Sequence, residues 1–175
     1  MKDLSKIKLF VCDCDGVMTD GLIVYDSQGA ESKNFSAHDG LGIKILNHTE
    51  IQTAVITGRN SKMLERRCQD LSIKYLFQNA HNKKAVLDKL LTELNLSYEN
   101  VAYIGDDWND FMPMQECSLK IAPNNARDNF KITVDYVTEN EGGYGAVRDA
   151  VEYILKNRNE FEKALRSFLD ELAKA

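Results

Sequence analysis

No apolar run in this 175-residue chain approaches the ~20 residues needed to cross a bilayer, and the opening stretch from Met1 to Lys8 has no signal-like apolar segment. An excess of positive charge is also missing: 22 Lys and Arg stand against 27 Asp and Glu, a net charge of −5. This excludes nucleic-acid binding through a general electrostatic footprint and leaves room only for a local basic pocket. The four cysteines, Cys12, Cys14, Cys68 and Cys117, form no framework of even spacings, so the disulfide-stapled class is set aside. Cys12 and Cys14 flank Asp13 on an expected strand with their thiols on the face opposite Asp13, and they read as small buried residues. Internal repeats and low-complexity segments are absent. These absences lead us to expect a cytoplasmic chain with neither membrane nor nucleic acid among its partners.

What is present is an ordinary globular composition, 43% hydrophobic and 28% charged. A chain of this length can bury about two-thirds of its unfolded surface in one core. Leu9-Phe10-Val11, Gln52 to Ile56, Lys74 to Phe77, Val101 to Ile104 and Leu119 to Ala122 read as buried strands, with Tyr136-Val137 as an edge strand. Helical spacing recurs between them. It runs through Leu41, Ile43, Ile45 and Leu46 to Thr49, from Ser61 to Leu71, from Asn82 to Leu94, through Met114 and Cys117, and from Ala146 to Lys156. A last amphipathic helix, Glu160 to Lys174, carries Phe161, Leu165, Phe168 and Leu172 on one stripe. Gly21 to Tyr25 and Ala30 to Phe35, around the polar turn Asp26 to Gly29, predict a β-hairpin that needs something to pack against, another subunit being one answer. We expect one domain over 1–175, with the hairpin at 21–36 and a helical extension at 157–175. The alternation of strand and helix predicts an α/β fold, a three-layer parallel sheet with helices on both faces.

Three strands end in chemically loaded turns: Asp13/Asp15, Thr57/Arg59 and Asp106/Asp107/Asp110. In a parallel sheet these ends emerge on one edge, where open α/β sheets bind their ligands. Up to five carboxylates at one rim cannot all be ionised without a cation, and a hard divalent ion, Mg²⁺ where a phosphate is also held, removes the conflict. Asp13 and Asp106 are the expected direct ligands, with Asp15 offering its backbone carbonyl. Asp107 and Asp110 bind through water or support the ligands. A carboxylate beside the metal can attack a phosphoryl group, and a second one two residues on can protonate the leaving oxygen and then activate water. Asp13 and Asp15 fit these roles. Thr57 offers a hydroxyl to a phosphoryl oxygen, and Lys83 or its neighbour Lys84 can neutralise developing charge.

The motifs Asp13-x-Asp15-Gly-Val, Thr57-Gly-Arg59, Lys83 and Gly105-Asp106-Asp107-x-x-Asp110 resemble, in order, those of the haloacid dehalogenase (HAD) superfamily of phosphotransferases. A narrower resemblance runs to about Leu155 through Asp39-Gly40-x-Gly42-Ile43-Lys44, Arg66-Arg67 and Gly142-Gly143-x-Gly145-Ala146-Val147-Arg148. It is to the 3-deoxy-D-manno-octulosonate 8-phosphate phosphatases. The resemblance implies a Rossmann-like HAD fold that is capless with a β-hairpin insertion, and a homotetramer with hairpins at subunit interfaces. It implies Mg²⁺-dependent release of phosphate from a phosphorylated acidic sugar through an aspartyl-phosphate. Asp13, Asp15, Thr57 and Lys83 would be catalytic; Asp13, Asp15 and Asp106 would hold the metal. Asp39, Gly40, Lys44, Gly58, Arg59, Arg67 and Asn109 would face the substrate. The family commonly has arginine before the Asp39 position, whereas this chain has His38. Relatives act on nonulosonate 9-phosphates, which makes that class the alternative substrate. A third reading is a non-catalytic oligomerising module that supports a sugar cytidylyltransferase; the intact motifs argue against it.

Overall fold

A computed structural model describes residues 2–174. Its centre is a six-stranded parallel sheet in the order β5-β4-β1-β6-β7-β8. The strands are β1 (Leu9–Cys12), β4 (Gln52–Ile56), β5 (Tyr75–Phe77), β6 (Val101–Ile104), β7 (Leu119–Ala122) and β8 (Tyr136–Val137). Side chains alternate across the sheet, as the two-residue period requires. Phe10, Cys12, Val55, Ala102 and Ile104 enter one core layer, and Leu9, Val11, Ala54, Ile56, Val101 and Tyr103 enter the other. Both faces are therefore covered, which is why these strands read as unbroken apolar runs. The first layer is completed by α1 (Ala37–Leu46), α2 (Lys62–Asp70), α6 (Ala146–Asn157) and α7 (Phe161–Leu172). The second takes α3 (Lys83–Leu94), α4 (Trp108–Met114) and α5 (Asp128–Lys131). No helix among the described residues is long and apolar enough to cross a membrane.

Several expected boundaries move. Helix α1, capped by Ser36, stops at Leu46 rather than Thr49, because the Thr49 amide and hydroxyl both donate to the Leu46 carbonyl and turn the chain. Leu41, counted with the apolar stripe, is 39% exposed. Helix α4 starts inside the acidic motif and ends before Cys117; it contains Pro113, which cannot donate a backbone hydrogen bond. The hairpin is paired only over β2 (Val24–Tyr25) and β3 (Glu31–Ser32). Its turn is closed by the Asp26 carboxylate, which accepts from the Gln28 and Ala30 amides, each at 2.8 Å. Helix α7 lies on its own chain: Ala164 is buried, with Phe161, Leu165 and Phe168 packed beside it, while Leu172 stays exposed.

Candidate active site

β1 lies between β4 and β6 in near-flush register, Cys12 opposite both Val55 and Ile104. The residues that follow the three strands, Asp13 and Gly105 one step past this row and Thr57 two, therefore leave the sheet together at its C-terminal edge. Asp13 is held by its amide, which donates to the Ile104 carbonyl at 3.1 Å. The chain then turns back through Gly16, whose φ of +89° favours glycine; a Cβ there would stand 2.0 Å from Asp106 Oδ2. This loop is braced from outside. The Gly143 amide donates to the Val17 carbonyl at 3.0 Å, and a Cβ on Gly142 would meet the Gly16 carbonyl oxygen at 1.9 Å.

Below the loop, Asp13, Asp106 and Asp110 bring carboxylate oxygens within 4.8 Å of one another. Lys83, at the first position of α3, reaches into this group with its side chain 2% exposed. Its Nζ lies 2.9 Å from Asp13 Oδ1 and 2.8 Å from Asp110 Oδ1. The Tyr103 hydroxyl donates to the same Asp110 oxygen at 2.9 Å, leaving Asp110 Oδ2 buried and unpartnered. One ammonium among three carboxylates leaves negative charge uncompensated. Burial, then Asp110, pushes Asp13 up to about 7 despite Lys83. Burial, then Asp13, does the same to Asp106, also to about 7. Burial opposes the charge of Lys83 itself, yet Asp110 and Asp13 hold its pKa above the ordinary value. Hard oxygen donors, surplus negative charge and an unpartnered carboxylate oxygen fit a divalent cation such as Mg²⁺.

The other predicted residues divide. The Asp15 side chain turns away from the three carboxylates toward Lys33, with which it pairs, and Arg59, whose Nε lies 3.7 Å from Asp15 Oδ2. Thr57 is buried at the rim beside Gly58, where an added Cβ would meet open space. Asp107 is not among the clustered groups; it caps α4 by accepting from the Trp108 amide at 2.8 Å. Asn109 is exposed on the first turn of α4. Asp39, expected at the substrate, is instead buried against α6, where its Oδ1 accepts from the Arg148 amide at 3.0 Å across 109 residues of sequence. Burial raises its pKa to about 6 even so. Gly40 likewise answers a packing need, since a Cβ would stand 2.4 Å from Arg67 Nη2. Arg67 donates to the Ser36 carbonyl at 2.7 Å, and Lys44 is exposed along the groove between α1 and α2.

Residues 73–151 match the haloacid dehalogenase-like hydrolase family. The 3-deoxy-D-manno-octulosonate 8-phosphate phosphatase of Yersinia pestis is 41% identical over 160 residues, 91% of this chain and 86% of that protein. The chain belongs to the 3-deoxy-D-manno-octulosonate 8-phosphate phosphatase family. A solved phosphatase of that name from Moraxella catarrhalis, in complex with magnesium ion, phosphate ion and KDO, shares 38% identity. It covers 95% of each chain with a TM-score of 0.90. The cobalt-bound phosphatase from Haemophilus influenzae, at 38% identity, covers 91% of this chain and 94% of its own, with a TM-score of 0.87.

Within this phosphatase family member, sequence reasoning passed over three hairpin residues that reach the rim. Arg59 Nη2 donates to Glu31 Oε1 at 2.8 Å and to the Tyr25 hydroxyl at 3.1 Å, and Lys33 Nζ lies 3.6 Å from the same Glu31 oxygen. The hydrogen bond from Arg59 holds Glu31 below the usual carboxylate range. Charged residues in a short polar hairpin carry no periodic signal, so the only cue was that Lys33 and Glu31 share a strand parity.

Proposed function

We propose that this chain hydrolyses 3-deoxy-D-manno-octulosonate 8-phosphate to the free sugar acid and phosphate. The observation that carries this reading is the buried Asp13 carboxylate at the strand edge, paired with Lys83 and clustered with Asp106 and Asp110. Asp13 forms a bond to phosphorus as the sugar oxygen leaves with a proton from Asp15. Water then attacks the phosphorus of the aspartyl-phosphate, gives a proton to Asp15 and frees Asp13. Lys83 neutralises charge on the phosphoryl oxygens, and the Thr57 hydroxyl donates to one of them. When bound by Asp13, Asp106 and the Asp15 backbone carbonyl, Mg²⁺ supplies positive charge to the phosphoryl group.

The buried Arg59 Nε makes no hydrogen bond and supports that side chain as an anion contact, with Gly58 beside open space and Asn109 exposed on the first turn of α4. Arg67, whose Nε also makes no hydrogen bond, and Lys44 follow along the neighbouring groove. His38, exposed at the start of α1 where the family commonly has arginine, favours a second reading, a nonulosonate 9-phosphate as substrate. A phosphate-release assay with and without Mg²⁺ across both sugar classes tests this: the octulosonate 8-phosphate should give the highest kcat/KM. A higher value for a 9-phosphate replaces the first reading, and no metal-dependent release from any sugar phosphate refutes both.

The hairpin supports a homotetramer in place of a separate cap. Leu22, Ile23, Val24 and Tyr25 are consecutive and 66%, 41%, 45% and 59% exposed, a run that isolated chains rarely leave in water. Light scattering should give the mass of four chains; a monomer mass would place the hairpin elsewhere.

A further inference from the structure

Lys33 stands apart from the residues on either side of it in the hairpin. Its neighbours Ser32 and Asn34 are exposed and the turn is solvated, yet its own side chain is only 2% exposed. An ammonium covered to this degree needs carboxylate partners. It has two: Asp15 Oδ1, with which it makes its closest contact, and Glu31 Oε1 at 3.6 Å. Glu31 in turn holds Arg59, whose Nε faces the other Asp15 oxygen at 3.7 Å. The ladder Arg59–Glu31–Lys33–Asp15 thus joins two rim turns of the sheet through a hairpin whose own pairing is two residues deep. A carboxylate on a loop is free to rotate about its side-chain torsions. Oδ1 is fixed by Lys33, whereas Arg59 Nε stays beyond hydrogen-bond distance of Oδ2 at 3.7 Å, so Oδ2 is the Asp15 oxygen placed to exchange a proton.

We propose that Lys33 is a positioning residue for the phosphatase reaction: its buried ammonium fixes the Asp15 carboxylate so that Oδ2 meets the leaving oxygen. This rests on the reading of Asp15 as proton donor and acceptor. In the step concerned, the Oδ2–H proton passes to the sugar oxygen while the phosphorus–oxygen ester bond breaks and the bond from Asp13 to phosphorus forms. Lys33 keeps its own protons throughout. The role also makes the hairpin part of the reaction: it sets the geometry of a group on the main sheet without touching the phosphoryl group.

The test compares an ester that needs a proton donor with one that does not. Lys33→Met should lower kcat for the sugar phosphate about 100-fold, the scale of a lost general acid, with KM within about threefold. With 2,4-dinitrophenyl phosphate, whose leaving group departs unprotonated, the burst of dinitrophenolate should keep its wild-type rate within about threefold. The amplitude of the burst counts the active sites in each preparation, and kcat is expressed per active site so counted, so poor folding cannot imitate the result. Lys33→Arg, which keeps the charge, should recover at least about tenfold of the lost kcat. Equal loss on both esters, or a raised KM with unchanged kcat, overturns the proposal, the latter marking Lys33 as a substrate contact. Asp15→Asn separates the two failures. If that variant is inactive on the sugar phosphate while Lys33→Met is normal, the Lys33 role alone falls. If Asp15→Asn is fully active, the reading of Asp15 falls and takes this proposal with it.

Discussion

Asparagine at position 13 should abolish turnover and leave the fold standing. The amide has the shape of the carboxylate but cannot form an acyl phosphate, so kcat falls by on the order of 10⁴-fold or more. Stability behaves differently. In the metal-free protein Asp13 and Asp106 titrate near 7, well above the ~3.9 of an unfolded aspartate. The folded state therefore binds more protons, and the stability present below pH 4 is lost as the pH rises through 7. Asp13→Asn removes one of the conflicting charges and keeps the pair between Lys83 and Asp110 at 2.8 Å. At pH 8 in chelator the variant should melt at or above the wild-type temperature, and added Mg²⁺ should raise its Tm less than it raises the wild type's. Wild-type turnover in this variant, or a Tm far below the parent's, removes Asp13 from the centre of the site.

Lys83→Met should have the opposite balance, with stability lost as well as activity. It leaves Asp13 and Asp110 in the interior with no cation and only the Tyr103 hydroxyl as a partner for Asp110. Breaking a buried ion pair from one side costs about 3–5 kcal/mol. The loss depends on pH in a definite direction. Without Lys83, which holds Asp13 down, the Asp13 pKa moves further above its unfolded value. The variant therefore goes on losing stability at pH values where the parent no longer does, and urea unfolding in chelator should show a smaller deficit at pH 6 than at pH 8. A deficit that is the same at both values, or below about 1 kcal/mol, would mean that Lys83 is not the counter-charge of the cluster.

The strands and their loaded ends were legible because a strand buried on both faces has to be a short apolar run, and Asp13, Thr57 and Gly105 interrupt three such runs. Less legible was which carboxylate does what. Asp107 and Asp110 are the same residue type three positions apart, yet the first caps α4 in partial exposure and the second turns inward to Lys83. Only the helix start, one residue after Asp107, decides this. Asp39 misled for a related reason: its partner is the N-terminus of α6, 109 residues away, and nothing local marks a carboxylate as a cap for a distant helix. Lys33 was invisible because its burial depends on how the hairpin folds back rather than on any pattern within it.

The brace formed by Gly142 and Gly143 has a consequence for the order in which the molecule is made. All four motif segments, from Asp13 to Asp110, emerge from the ribosome before these glycines do, and none of the residues that follow carries a reacting group. The turn at Gly16 is held from outside by backbone contacts that only the late segment supplies, and the helix behind that segment is anchored on Asp39 from the early part of the chain. A chain made only as far as Asp110 therefore displays every motif while the turn at Gly16 still lacks this brace. The turn that carries the first motif thus depends on a part of the chain that follows the last one.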